Sequence, residues 1–142
     1  MSKSKRILIV EDDKDILKLE EKHLQSVGHL VFTALNPLRA FEIILKEEPF
    51  DILITDIMMP GLDGYEFIKM LRSEPAYKKK CANMPILILS AKTSEEDIAS
   101  GLDLGALIYM QKPFSKDELM IAVNTIIDEY LLENEVKDLF DN

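Results

Sequence analysis

The apolar positions fall into five short runs separated by longer mixed segments. The runs are RILIV at 6–10, HLVFTA at 29–34, DILITD at 51–56, PILILS at 85–90 and ALIYMQ at 106–111. None alternates cleanly between apolar and polar side chains, which is the pattern of strands covered on both faces, as in a parallel sheet. Between the runs the apolar residues switch to helical spacing: Ile16, Leu17, Leu24 and Val27; Phe41, Ile44 and Leu45; Phe67, Ile68 and Leu71; Ile98 and Leu102; Leu119, Val123, Ile126 and Tyr130. The pattern predicts a strand-helix unit repeated five times.

Boundary residues agree with those elements. Thr93-Ser94-Glu95-Glu96 has capping-box spacing ahead of the fourth helix, Ser115 is placed to cap the fifth, and Gly28 and Gly105 stand where helices should stop. Right-handed crossovers then give an α/β, flavodoxin-like, doubly wound five-stranded parallel sheet of order 2-1-3-4-5 with five helices. Its ligands bind beyond the carboxyl ends of the strands. Two segments stand apart. Ser73–Met84 reads as a solvated loop broken at Pro75, with Lys78-Lys79-Lys80 as a candidate partner contact. Leu131–Asn142 continues the last helical pattern, with Val136, Leu139 and Phe140 able to dock on the domain or to pair with another chain. The expected division is one domain over 1–128 and a C-terminal helical extension or linker over 129–142.

Composition narrows the function classes. A chain of 142 residues with 47% apolar and 30% charged content is of one-domain size and can bury a real core. Its formal charge of -9 sets up a field that repels nucleic acid and anionic membrane, so direct DNA binding by this chain is not expected. No apolar run approaches the roughly 18 residues of a membrane span, and the run after the basic MSKSKR start is too short for a signal peptide. Cys81, the single cysteine, cannot form an internal disulfide. These features point to a soluble cytoplasmic protein.

The topology brings reactive side chains to one rim. After the first strand come Glu11, Asp12 and Asp13, after the third Asp56, after the fourth Ser90, and after the fifth Lys112 with Pro113 behind it. The first and third strands are neighbours in the expected order, so the acids converge. Converging carboxylates take up protons or gather a cation. An all-oxygen set suits Mg²⁺, and zinc is disfavoured because no Cys or His cluster accompanies the acids. A metal beside a carboxylate, with a lysine and a hydroxyl nearby, meets the needs of phosphoryl transfer, with Asp56 as nucleophile and Mg²⁺, Lys112 and Ser90 on the phosphoryl oxygens.

The ordered segments ILIVEDD, ILITDIMMPGLDG, ILILSAK and GLDLGALIYMQKPF, spanning about residues 5–128, resemble the receiver domain of two-component response regulators. The resemblance implies that Asp56 accepts phosphate from a phosphohistidine on a sensor histidine kinase or histidine phosphotransfer protein, with Mg²⁺ required. It implies Asp12 and Asp56 as direct metal ligands, the main-chain carbonyl of Met58 as another, and Glu11, where Asp is more usual, acting mostly through water. It implies a switch pair: Ser90 turns toward the phosphate and Tyr109 packs inward, changing how a downstream effector or a missing output domain is engaged. Asp13 is expected to be solvated or to cap the first helix.

Leu107 and Ile108 depart from the family pattern, which often has two acids there. A phosphorylation-dependent dimer of the usual charged kind is therefore in doubt, and the apolar pair either extends the buried strand or serves an apolar interface. Met58 and Lys92 occupy family positions associated with the rate of phosphate loss. The residues weigh against the rivals, and a flavin-binding module of the same fold would have its phosphate repelled by the acids at the rim unless a metal intervenes. A phosphatase using an aspartyl nucleophile would carry a second Asp where Met58 stands; a P-loop binder would need a G-x-x-x-x-G-K-[ST] run; and a receiver acting only as a binding module would lack some of the acid pair, Asp56, Ser90, Tyr109 and Lys112.

Overall fold

Each apolar run becomes a strand of one parallel sheet in the computed structural model, which describes residues 4–131. The strands are β1 (Arg6–Val10), β2 (Leu30–Ala34), β3 (Ile52–Asp56), β4 (Ile86–Ser90) and β5 (Ile108–Gln111), in the order β2-β1-β3-β4-β5. The helices are α1 (Lys14–Ser26), α2 (Pro37–Lys46), α3 (Gly64–Ser73), α4 (Pro75–Cys81), α5 (Glu95–Asp103) and α6 (Lys116–Thr125), followed by a π-helical turn, Ile126–Leu131.

Side chains on a strand alternate between faces, and here both faces are covered. Leu8, Val10, Leu53 and Ile88 join Phe41, Phe67 and Leu71 in one core, while Ile7, Ile9, Ile54 and Leu89 join Leu17, Leu119 and Val123 in the other. This two-sided burial is why the runs show no polar alternation. The register sets the functional rim: Val10 lies beside Thr55, Asp56 beside Leu89, and Ser90 beside Gln111. Residues 11, 56, 90 and 112 therefore leave the sheet at one edge.

The segment 73–84 differs from its expected loop. Pro75 opens α4 rather than breaking the chain, since the first turn of a helix needs no N–H from that residue. The Tyr77 ring stacks on Phe41 at 4.6 Å and Cys81 is buried in the core, where burial pushes its thiol up to about 11. Within the lysine cluster, Lys80 is structural: its Nζ donates to the carbonyls of Ile44 at 2.9 Å and Glu47 at 2.7 Å, at the end of α2. The described residues thus hold six α-helices where five were expected.

Other local expectations shift by small amounts. Ser94, not Thr93, caps α5, accepting from the Asp97 N–H at 3.1 Å. Ser115 forms a full capping box with Glu118 on α6, and Gly28 and Gly105 take positive φ just past α1 and α5, as expected. Leu107 precedes β5 and is exposed, whereas Ile108 packs partly against the second core, so the pair does not form a continuous buried extension. No described helix is long and apolar enough to cross a membrane. Val136, Leu139 and Phe140 lie outside the described residues.

Arg72, unremarked in the sequence, ties three segments together. Its guanidinium donates to the carbonyls of Cys81 at 2.7 Å, Met84 at 2.7 Å, Leu104 at 3.3 Å and Gly105 at 3.3 Å. Hydrogen bonds from a charged donor contribute more than neutral ones, and carbonyls left without a donor cost desolvation. Arg72→Met is expected to destabilise the fold by about 3 kcal/mol, read as a lower urea midpoint at unchanged m.

Candidate functional site

The end of β3 and the turn after it fix the central carboxylate. The Asp56 side chain folds back on its own loop: Oδ1 accepts from the N–H groups of Ile57 at 2.6 Å and Met58 at 3.0 Å. The turn passes so close to α3 that a Cβ on Gly64 would sit 2.6 Å from the Ile57 Cα, and the Gly64 N–H donates to the Ile57 carbonyl at 3.1 Å. Only glycine fits that approach, which gives the second Gly of the GLDG run a physical reason. Asp63 caps α3 through the Tyr65 N–H at 2.7 Å.

Across the rim, Lys112 reaches over from the end of β5. Its backbone N–H is held by the Ser90 carbonyl at 2.9 Å, and the Lys112–Pro113 bond is cis. Its Nζ donates to Asp56 Oδ2 at 2.7 Å and to Glu11 Oε1. Glu11 and Asp56 are buried, and Asp12 beside them is exposed. Asp13 caps α1, accepting from the N–H groups of Asp15 at 3.0 Å and Ile16 at 3.2 Å.

These groups perturb one another in a readable way. Burial raises the Glu11 carboxyl above its ordinary range, and Lys112 only partly offsets this. Burial alone would lower Lys112, but its hydrogen bonds to Asp56 and Glu11 win and hold the ammonium up. The lysine is thus kept charged between two carboxylates. Each of Glu11, Asp12 and Asp56 offers an oxygen, all lying within 4.8 Å of one another. An oxygen-only set at that separation, open to water on the Asp12 side, fits a hard divalent cation. The Met58 side chain is 52% exposed, and its main chain belongs to the same turn.

The two switch candidates meet at one backbone unit. Ser90 is fully buried and its Oγ accepts from the Lys92 N–H at 3.1 Å, while the Tyr109 hydroxyl donates to the Lys92 carbonyl at 2.6 Å. Tyr109 is half-buried rather than solvated, its ring lying against Gly101, where a Cβ would stand 2.9 Å from its edge. Tyr65, missed in the sequence, is its neighbour: the Tyr65 hydroxyl donates to the Asp97 carbonyl at 2.9 Å, and burial followed by Tyr109 raises it. Only its place one residue past the GLDG glycine would have pointed to it.

Glu20 was also missed: its spacing from Leu17 and Leu24 puts it on the inner face of α1, but an acidic side chain is ordinarily solvated. It is 3% exposed, and neither carboxylate oxygen has a hydrogen-bond partner. Burial, followed by the charges of Glu11 and Asp56, pushes it from 4.5 up to about 8, against the pull of Lys112. A carboxyl raised on folding lends stability that is fully present below its unfolded pKa and lost as pH rises through the folded one. Unfolding free energy is therefore expected to fall by a few kcal/mol between about pH 4.5 and pH 8, and to flatten in Glu20→Gln, as read by urea unfolding across that range.

With the rim described, its kinship is plain. Residues 7–124 match the family described as the response regulator receiver domain, and the chain belongs to that family. It is 39% identical over 133 residues to an uncharacterized transcriptional regulatory protein, YrkP, of Bacillus subtilis, covering 94% of this chain and spanning 54% of that protein. It resembles the receiver domain of the Francisella response regulator 1452, with TM-score 0.76, 35% identity, and coverage of 87% of this chain and 97% of that one. It also resembles the receiver domain of a Pseudomonas aeruginosa sensor histidine kinase with a magnesium ion coordinated in its active-site cleft, with TM-score 0.74, 27% identity, and coverage of 87% and 98%.

Proposed function

We propose that this receiver takes a phosphoryl group from a phosphohistidine donor onto Asp56 in a Mg²⁺-dependent reaction, and that the resulting change of shape controls a downstream partner or output domain. The observation that carries the reading is the Asp56 carboxylate, buried and pinned by the Ile57 and Met58 amides on one oxygen and by Lys112 on the other. In the transfer, an Asp56 oxygen attacks phosphorus, the P–N bond breaks, and the electron pair leaves with the donor imidazole. Lys112, held charged by Glu11, moves with the incoming group and neutralises one of its oxygens. Glu11, Asp12, Asp56 and the Met58 carbonyl would hold Mg²⁺, which when bound supplies positive charge to the equatorial phosphoryl oxygens.

The change of shape starts at Lys92. A phosphoryl oxygen offers Ser90 a stronger acceptor than its present environment, so the hydroxyl turns and releases the Lys92 N–H. Lys92 then moves, its carbonyl no longer holds the Tyr109 hydroxyl, and the ring packs inward. The chain so described is a cytoplasmic signalling switch that catalyses its own phosphorylation and dephosphorylation; its partners are a sensor histidine kinase or phosphotransfer protein and a downstream effector, and the receiver unit ends near residue 128. Incubation with acetyl phosphate is the test. The reading expects a mass gain of one phosphoryl group with Mg²⁺ and none in EDTA; no gain with Mg²⁺ would favour a module that binds partners without phosphorylation.

A further inference from the structure

Beside the acidic rim, between α1 and the segment after β5, lies a cavity of about 370 Å³ whose walls include Ile16, Leu19, Glu20, His23, Lys112 and Phe114. Its size is that of a small-molecule site, and such sites are mostly apolar with a few convergent polar groups. Its polar lining is Glu20, His23, Lys112 and Lys116, and of these Glu20 is buried and without a partner on either oxygen. Buried carboxyls left this way cost free energy, and they are found paired or at sites where something else completes them.

We propose that this cavity is a binding site for a small organic cation, whose ammonium pairs with Glu20 and whose apolar body lies against Ile16, Leu19 and Phe114. The two orphaned oxygens decide the charge of the ligand. An ionised carboxyl presents two acceptor oxygens and a negative charge, and an alcohol meets these with a single donor and no charge. An ammonium carries three donors and no acceptor, and so serves both oxygens. The neighbouring field agrees. The charges of Glu11 and Asp56 act on Glu20 in the sense that favours a positive group beside it. Lys112, which acts in the opposite sense, is committed to those same two acids. His23 and Lys116 line the walls as well.

The probes are benzylamine and its neutral analogue benzyl alcohol, titrated by calorimetry and by ¹H–¹⁵N chemical shifts against the wild-type chain, Glu20→Gln and Glu20→Leu. Wild type should bind the amine about tenfold more tightly than the alcohol, with shifts centred on residues 16–23 and 112–116. Both variants should lose that preference while melting as folded proteins, because Gln and Leu fit the space of Glu20 without a buried acid. Equal binding of the two probes, a preference that survives in Glu20→Gln, shifts located elsewhere, or no saturable binding of the amine would each overturn the proposal. Phosphorylation at Asp56 does not enter the readout, so the result is independent of the signalling reading.

Discussion

Asp56→Asn is expected to take up no phosphoryl group from acetyl phosphate and Mg²⁺, where the wild-type chain gains one. The loss follows from chemistry rather than from unfolding. The amide keeps the volume of the side chain, and its oxygen can still accept from the Ile57 and Met58 N–H groups that pin Oδ1. What disappears is the anionic oxygen that attacks phosphorus, together with one ligand of the proposed metal. Lys112 keeps Glu11 as its partner, so far-UV dichroism and the melting transition should stay close to wild type. A mass gain retained in this variant would mean that phosphate lands on another group, with Glu11 and Asp12 the first to examine.

Lys112→Met should be the most damaging single change to the rim, and its two effects can be read apart. The ammonium lies on Asp56 at 2.7 Å and on Glu11, and these side chains are only 7% and 3% exposed. Removing one partner of a buried ion pair typically costs about 3–5 kcal/mol, because the remaining charge stays buried without its counter-ion. In EDTA at neutral pH the variant should unfold at clearly lower urea. Glu11, already raised by burial, rises further once the lysine is gone. A carboxyl raised in the folded state favours folding at low pH, so the deficit should shrink as pH falls toward its unfolded value of 4.5. Mg²⁺ should also narrow the gap, since an ion bound only by the folded form stabilises it by RT ln(1 + c/Kd), where c is the free Mg²⁺ concentration. Phosphate uptake should fall about a hundredfold even with Mg²⁺ saturating, because the charge that meets the phosphoryl oxygen is missing.

Most of the frame was readable from the sequence, for identifiable reasons. Strands buried on both faces leave unbroken apolar runs such as ILITD and ILILS, and short crossovers leave only a few topologies to consider. The convergence of Glu11, Asp12, Asp56 and Lys112 followed from strand order alone, and the distances now place them together. What escaped were features in which tertiary contact overrides local pattern. Pro75 looked like a breaker but opens α4, whose Tyr77 and Cys81 are held by the core. Glu20 drew no notice because an acid is rarely buried, yet it shares the inner face of α1 with Leu17 and Leu24. Arg72 gave no sign because its partners are backbone carbonyls, which no side-chain pattern marks, lying 9 to 33 residues further along the chain. The tie of Ser90 and Tyr109 to the two ends of one residue, Lys92, likewise depends on how β4 and β5 pair.

The proposed chemistry needs a divalent cation seated among three acids, and Mn²⁺ used as a paramagnetic stand-in for Mg²⁺ reads that seat directly. Amide signals of residues 11–13, 56–58 and 112 should broaden first at substoichiometric Mn²⁺, excess Mg²⁺ should restore them, and Asp12→Ala should weaken the effect by at least about tenfold. Broadening spread evenly over the acidic surface, or centred away from Glu11, Asp12 and Asp56, would contradict the metal site and the phosphoryl chemistry built on it.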